Sequence, residues 1–277
     1  MNDTLPGLLS RLINVVLRHK SESGWPRHPI DEQLGIETSA QFSRASGLSF
    51  LKPWQWRLHM SNPGYAPTAP SILRASINAI GDISGFTFVD IGCGMGRALA
   101  VATEFPFDSV VGIDFSSRIC DIARNNAEII AKQFPERPKI TIINDDASLA
   151  DLSFISKYML YLYNQLNANL IKSLIYNIST YVRMNSSLVV FIIYNNPIHF
   201  KQLDSCPLLK RYFVQQIYYN SEDKAAAVFS YDTDTVVIYQ SVGAVMRPAR
   251  PGANVALKLI SDDQGVEIVD DRGSLSS

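Results

Sequence analysis

Short apolar runs alternate with longer amphipathic stretches from about residue 71 to residue 242. The runs are rich in Val, Ile, Phe and Tyr, as buried strands are, and the stretches between them repeat apolar positions at helical spacing. The pattern predicts strands over 86–91, 109–114, 139–143, 158–163, 187–194, 212–219 and 233–240, with helices over 71–80, 97–105, 116–134, 167–183 and 198–210.

This alternation predicts a doubly wound α/β fold with a mostly parallel, seven-stranded sheet. Strands that are apolar along their whole length are typical of a sheet covered on both faces by helices. No long helix separates the last two predicted strands, 212–219 and 233–240. We therefore expect an antiparallel terminal strand, because a parallel connection needs a crossover.

The flanks of this region have a different composition. Residues 1–70 combine an apolar helical face near the start with a stretch rich in Pro and aromatic residues, which holds all three Trp of the chain. We predict a helical and irregular N-terminal extension over 1–70 that can serve as a lid, and a cofactor-binding domain over 71–242. Residues 243–277 form a C-terminal tail, which is either a small hairpin or mobile.

Composition limits the function classes. The chain has 277 residues, a net charge of −1 and a pI near 6.4, which argues against nucleic acid as a partner. Its three cysteines and four histidines show no disulfide or zinc spacing. The first apolar stretch is interrupted by Pro6, Arg11 and Asn14, so we expect no transmembrane segment. Asp3 and the lack of an early Lys or Arg argue against a signal peptide, and we expect a cytoplasmic location. Oligomeric state stays open.

A glycine-rich loop, Gly92-Cys93-Gly94-Met95-Gly96, follows the first predicted strand and opens a helix. Glycines let a backbone turn sharply and lie against a ligand. The loop has no Lys after its last glycine, as a phosphate-binding P-loop requires, and its G-x-G-x-G spacing is not the G-x-G-x-x-G of dinucleotide sites. Asp90, two residues before the first glycine, suits an ammonium group better than a pyrophosphate.

The run VDIGCGMGR resembles the first motif of class I S-adenosylmethionine-dependent methyltransferases, and the similarity extends over roughly residues 35–242. It implies S-adenosyl-L-methionine as cofactor, an acid on the ribose hydroxyls at Asp114, and an acid near the adenine at Asp146. We expect Asp114 at an exposed strand end. The implied cofactor contacts come from the loop and the strand ends: Asp90, Gly92, Cys93, Gly94, Gly96, Asp114, Phe115, Asp146 and Ala147.

A narrower similarity rests on Gly35-Ile36-Glu37-Thr38 and Tyr65-Ala66-Pro67-Thr68. These runs look like a subgroup of methyltransferases distantly similar to the non-SET protein-lysine methyltransferases. In that subgroup the segment before the first strand packs over the cofactor, which makes Tyr65 and Thr38 cofactor-side candidates. An aromatic residue packed in a loop explains Tyr65 equally well.

The candidate catalytic residues follow the fourth predicted strand. The subgroup usually reads Tyr-Asn-Pro-Phe there, whereas this chain reads Tyr163-Asn164-Gln165-Leu166. By this resemblance Asn164 orients an acceptor nitrogen and Tyr163 shapes its pocket, although the missing Pro and aromatic residue put the acceptor class in question. A related run, Tyr194-Asn195-Asn196-Pro197, follows the fifth strand. It is a second candidate to face the pocket, although a turn with Pro at a helix start is the simpler interpretation.

The leading hypothesis is methyl transfer from S-adenosylmethionine to an unidentified acceptor, either a protein amine or a small molecule. The alternative is a non-catalytic cofactor-binding or protein-interaction module on a degenerate methyltransferase fold. RNA methylation is disfavoured by the acidic pI. Transfer to any acceptor would separate the two hypotheses.

Overall fold

The structure, a computed structural model, describes residues 26–39, 67–148, 150–163, 167–227, 232–243, 246–249, 253–261 and 266–269. The strands are β1 (Thr87–Ile91), β2 (Ser109–Asp114), β3 (Ile140–Asn144), β4 (Lys157–Tyr163), β5 (Val189–Asn195), β6 (Leu209–Tyr218), β7 (Thr233–Ser241), β8 (Lys258–Ser261) and β9 (Val266–Val269). The helices are α1 (Pro29–Leu34), α2 (Pro70–Ile80), α3 (Arg97–Ala102), α4 (Ser117–Gln133), α5 (Ala168–Met184), α6 (Phe200–Asp204) and α7 (Ser221–Ala226).

The main sheet has seven strands in the order β3-β2-β1-β4-β5-β7-β6. β1 to β5 pair in parallel, whereas β7 is antiparallel to both β5 and β6. The predicted fold class is therefore confirmed, including the antiparallel strand. The chain leaves β1 toward β2 and β3 on one side and returns to β4 on the other, which places a topological switch point between β1 and β4. Ligands of open α/β sheets bind at the carboxyl ends of strands beside such a point.

Two apolar cores cover the two faces of the sheet. Along β4, Leu160 and Leu162 pack into one core and Met159 and Tyr161 into the other, as the period of two requires. The first core is covered by α5. The second, which we call the α2/α3 face, is covered by α1, α2 and α3. Burial of a single Leu or Ile side chain stabilises the fold by about 1.5–3 kcal/mol.

The described part of the N-terminal extension, residues 26–39, packs on the α2/α3 face. α1 begins at the N-cap His28 and ends at Gly35, whose φ of 65° closes the helix. Ile30, Leu34 and Ile36 are buried in the core, and Gln133 of α4 donates to the Leu34 carbonyl at 2.9 Å. The predicted helix near residues 5–17 lies outside the described residues.

Two short elements differ from the sequence prediction. The helix predicted over 198–210 extends only over Phe200–Asp204, because Pro207 disfavours helical backbone at Cys206 and β6 begins at Leu209. The short helix α7, which begins at the N-cap Asn220, was not predicted. Its six residues are too few to show a helical period.

Two strands of the C-terminal tail form a small antiparallel sheet that packs on the α5-covered core. β8 pairs with β9, and Leu259, Val266 and Ile268 are buried there. The Thr235 hydroxyl donates to the Val266 carbonyl at 2.6 Å. The domain boundaries at residues 70 and 242 stay a prediction.

None of the helices in the described ranges is long and apolar enough to cross a bilayer.

Candidate functional site

The glycine loop takes its shape from three residues in left-handed backbone conformations. Gly92, Gly94 and Gly96 have φ values of 75°, 54° and 88°. Side chains other than hydrogen disfavour these angles, so the G-x-G-x-G spacing reflects a backbone requirement. The N–H groups of Gly92 and Cys93 both donate to the Ile113 carbonyl, at 2.8 and 3.1 Å. The loop is thereby fastened to the end of β2.

The buried side chain of Cys93 packs between the glycine loop and the sheet. Its side chain is 6% exposed and packs beside Gly112 of β2. A Cβ at Gly112 would lie 2.8 Å from the Cys93 Sγ and 2.5 Å from the Leu99 Cδ1. The absence of a side chain at Gly112 therefore lets the loop and α3 approach the sheet. Burial and the nearby Asp114 and Asp90 raise the pKa of the Cys93 thiol.

Asp90 and Asp114 lie at the carboxyl ends of the adjacent strands β1 and β2. Both point to the α2/α3 face, since Phe88 and Val110, an even number of positions before them, belong to that core. Asp114 accepts hydrogen bonds from the Gly94 N–H at 3.1 Å and the Ser116 N–H at 2.9 Å. No described residue donates to the Asp90 carboxylate. The two predicted acids are thus brought together beside the glycine loop.

The expectation that Asp114 is exposed was wrong, because its side chain folds inward to hold the loop and the residue is only 8% exposed. Asp90 is 4% exposed. Burial, followed by the charge of Asp114, raises the pKa of Asp90 to about 8. Burial also raises the pKa of Asp114, opposed by the hydrogen bonds from Ser116 and Gly94. A cation placed here would stabilise both carboxylates.

The third predicted acid lies at the same edge of the sheet. The Asp145 N–H and the Asn144 side-chain amide both donate to the Asp114 carbonyl, at 3.1 and 3.0 Å. These bonds hold the turn after β3 against the end of β2. Asp146 is half-buried in this turn and accepts from the Ser148 N–H at 2.9 Å. Ala147 is 9% exposed, and Phe115 is half-buried beside Asp114.

Of the candidate catalytic residues, the structure describes only Tyr163. It ends β4, is half-buried, and pairs in register with Asn195 of β5. Burial raises the pKa of the Tyr163 hydroxyl, and the charge of Asp234 contributes to the rise. Asn164 and Tyr65 lie outside the described residues.

A set of polar side chains continues from the two acids across the sheet, and only one of them, Asn195, belongs to a run that the sequence singled out. Tyr161, Asn195 and Asp234 lie on β4, β5 and β7, and each is at most 8% exposed. Met159, Ile193 and Val236, two positions away on the same strands, all belong to the core of the α2/α3 face. The five residues therefore share one face at one edge, and we call them the polar row: Asp114, Asp90, Tyr161, Asn195 and Asp234.

The sequence carried a weak signal for the far end of this row. Asp234 is a charged residue at the start of the apolar run TDTVVIYQ, and Asn195 ends another apolar run. A charge that interrupts a buried strand usually has a partner or a function. Strand order was needed to show that β7 inserts beside β5 and brings the two side chains together.

A second polar cluster lies behind the glycine loop, and we call it the clasp: Asp31, Thr38, Ser39 and Arg97. The Arg97 Nε donates to the Thr38 hydroxyl and its Nη2 to the Ser39 hydroxyl, both at 2.7 Å. The Ser39 hydroxyl donates in turn to Asp31 at 2.6 Å, and the Thr38 hydroxyl also donates to Asp31. Thr38 is 0% exposed. In this position it joins residues 26–39 to the helix that follows the loop.

No protein-family model and no curated protein matches the chain. Among solved structures, a ribosomal protein L11 methylase from Lactobacillus delbrueckii subsp. bulgaricus is 14% identical over 63% of this chain and 79% of that chain, with a TM-score of 0.42. An RNA methyltransferase from Salinibacter ruber, in complex with S-adenosyl-L-homocysteine, is 16% identical over 67% of this chain and 100% of that chain, with a TM-score of 0.39.

A third similar structure is the geranyl diphosphate C-methyltransferase from Streptomyces coelicolor, in complex with geranyl diphosphate and S-adenosyl-L-homocysteine. It is 12% identical over 62% of this chain and 78% of that chain, with a TM-score of 0.40. By their names, the three proteins act on a protein, an RNA and a small molecule.

Proposed function

We propose that this chain is an S-adenosylmethionine-dependent methyltransferase. The observation that carries the proposal is the joint placement of three left-handed glycines and two buried carboxylates at the switch point of the sheet. A dinucleotide or nucleoside triphosphate brings phosphates, which two buried acids would repel. A ligand that combines an ammonium group, a ribose diol and no phosphate suits the same residues.

The predicted cofactor residues at the ends of β1, β2 and β3 would each make a definite contact with such a ligand. Asp90, which no described residue pairs, would accept the ammonium group. Each oxygen of Asp114 accepts one backbone hydrogen bond and keeps further acceptor capacity, which suits two ribose hydroxyls. Asp146 in the turn after β3 would face the adenine, with Ala147 against the ring.

Bound S-adenosylmethionine would supply an electrophilic methyl group on a sulfonium. The chain then has to align the acceptor with that methyl group and exclude water. Tyr163, which is half-buried at the end of β4, would line the acceptor pocket. Asn164, by its position after Tyr163, would orient the acceptor nitrogen.

Calorimetric titration with S-adenosylhomocysteine tests the cofactor site. We expect wild type to bind and Asp114→Asn to bind at least about tenfold more weakly, since a ribose acceptor is lost. Asp121→Asn is the matched control, because Asp121 is exposed on the neighbouring α4 and should leave binding unchanged. Equal affinity in all three folded proteins would contradict the assignment of Asp114.

Transfer of a radiolabelled methyl group to candidate acceptors tests the activity itself. We expect label in an acceptor only when the cofactor site is intact. Binding of S-adenosylhomocysteine without transfer to any protein, RNA or small amine would instead favour the non-catalytic module.

A further inference from the structure

The far end of the polar row, at Asn195 and Asp234, has hydrogen-bonding capacity that the chain does not use. The Asn195 side-chain nitrogen donates to Asp234 Oδ2 at 3.2 Å. A carboxylate can only accept, so this bond fixes the orientation of the amide and turns Oδ1 of Asn195 away from Asp234. That oxygen is buried in a residue with 0% exposure and has no hydrogen-bond partner in the described part of the chain.

A buried hydrogen-bond acceptor without a donor is rare in folded proteins, because leaving it unpaired costs about 1–3 kcal/mol. The Tyr161 hydroxyl, at 1% exposure, is a second buried group without a hydrogen bond of ordinary geometry. Thr68 and Asn195 lie close enough to it to lower its pKa, against the larger rise that burial causes. Asn195 contacts Asp234 directly and Tyr161 lies within reach of its charge, and both residues are on the face that carries Asp90.

The charged groups near Asp234 also leave its negative charge without compensation. Tyr219, directly after β6, and Asn195 stabilise its ionised form, whereas Asp223 of α7 opposes it. His28 lies beyond Asp223 and is already paired with it at 2.8 Å. Burial is the largest influence and raises the pKa of Asp234 to about 6, so the carboxylate is ionised at neutral pH. No cation of the described residues offsets it.

We propose that Asn195 and Asp234 form the acceptor subsite, and that the acceptor is an amine that Asp234 binds as the ammonium ion and deprotonates. The inference rests on the proposed function and names its substrate class. A carboxylate acceptor would be repelled by Asp234, and a neutral hydroxyl would leave the buried charge without a counter-ion. An ammonium group supplies both the positive charge and the donors that Asn195 Oδ1 and Asp234 lack.

The proton and electron balance of the step is simple. The acceptor R–NH₃⁺ gives one proton to the Asp234 carboxylate, which becomes a neutral acid, and the amine keeps the freed lone pair. That lone pair forms the new N–C bond while the electron pair of the C–S bond goes to sulfur, so the products are R–NH₂⁺–CH₃ and the thioether. A base with a pKa near 6 can return the proton to solvent at neutral pH.

Sinefungin tests the subsite without knowledge of the acceptor. This S-adenosylmethionine analogue carries an amine where the methyl group would be, whereas S-adenosylhomocysteine carries none. We expect wild type to bind sinefungin at least about tenfold more tightly than S-adenosylhomocysteine, and Asp234→Asn to lose most of that preference. Asp232→Asn is the matched control: it removes an exposed carboxylate two residues away and should keep the preference.

A preference that is absent in wild type, or unchanged in Asp234→Asn, would overturn the subsite. Failure of wild type to bind S-adenosylhomocysteine at all would overturn the proposed function instead, so the two failures are distinguishable.

If Asp234→Asn does not fold, the pH dependence of the two affinities in wild type decides. Protonation of Asp234 should reduce the ratio of the two affinities as the pH falls through about 6, and a ratio that is constant between pH 5 and pH 8 would contradict the proposal. Asp90 cancels from this ratio, because both ligands carry the same amino-acid ammonium group.

Discussion

The clasp and the polar row are both buried polar clusters on the α2/α3 face, yet they are built in opposite ways. In the clasp the charge of Asp31 is met by Arg97 at 3.6 Å, and the Thr38 and Ser39 hydroxyls complete the hydrogen bonds between them. The row has three carboxylates, and no described cation pairs with any of them. Within the described residues, the Asn195 Oδ1 and the Tyr161 hydroxyl add two buried groups that lack a hydrogen-bond partner. A cluster that is complete by itself holds structure, whereas one that lacks cations and donors is built to receive them.

Removal of the one cation of the clasp is expected to have the largest effect. Arg97→Met would leave Asp31 buried without a counter-ion, which lowers the free energy of unfolding by about 3–5 kcal/mol. Urea denaturation followed by circular dichroism measures this change. Adding Asp31→Asn to Arg97→Met should recover part of the loss, because the uncompensated charge is then gone.

Arg124→Met provides the matched control for Arg97→Met. Arg124 is exposed and pairs with Asp121 on the surface of α4, so its loss should change stability by at most about 1 kcal/mol. Similar losses for the two arginine variants would contradict the distinction between the clasp and an ordinary surface pair.

A glycine substitution should separate backbone strain from loss of the site. Gly94→Val and Gly85→Val both force a β-branched residue into a left-handed conformation, with φ of 54° and 79°. Each should lower the free energy of unfolding by about 1–3 kcal/mol. Only Gly94→Val should abolish calorimetric binding of S-adenosylhomocysteine, because Gly85 lies in the turn before β1. Retained binding in Gly94→Val would remove the loop from the proposed site.

Neutralising Asp90 should stabilise the chain and weaken the site together. The unfolded chain ionises this carboxyl near pH 4, whereas burial keeps it protonated in the folded chain up to about pH 8. The free energy of unfolding therefore falls as the pH rises across that window. Asp90→Asn lacks this titration, so its gain in stability should grow from pH 4 to pH 8 and reach at most about 5 kcal/mol, since each pKa unit is worth about 1.4 kcal/mol. Thermal denaturation at several pH values measures it.

The opposite sign is expected at Asp82, whose pKa is lowered by hydrogen bonds from Ser84. Asp82→Asn should be less stable than wild type at a pH where the Asp82 carboxyl is ionised. It therefore serves as the control for the direction of the pH dependence. Binding offers a second check on Asp90. An ammonium ligand needs the ionised carboxylate, so affinity for S-adenosylhomocysteine should rise up to about pH 8 in wild type and stay flat in Asp90→Asn.

Much of the region around the glycine loop could be predicted from the sequence alone. The glycine spacing, Asp90 and Asp114 fall within 25 residues, and the order of strand, loop, helix and strand places them at one edge of a parallel sheet. Their roles toward a cofactor stay predictions. The burial of Asp114 could not be predicted, because it depends on how the side chain turns back to accept from Gly94.

The amino-acid sequence by itself determined the α/β class, the positions of most strands and helices, and the left-handed turns of the glycine loop. These features depend on hydrophobic period and on backbone conformations that few residues tolerate, both of which are local. The tertiary structure alone decided that Asp234 meets Asn195 across 39 positions of chain and that Arg97 meets residues 31–39. Which polar groups come together, and which stay unpaired, follows from strand order, register and burial, and no short stretch of sequence encodes those.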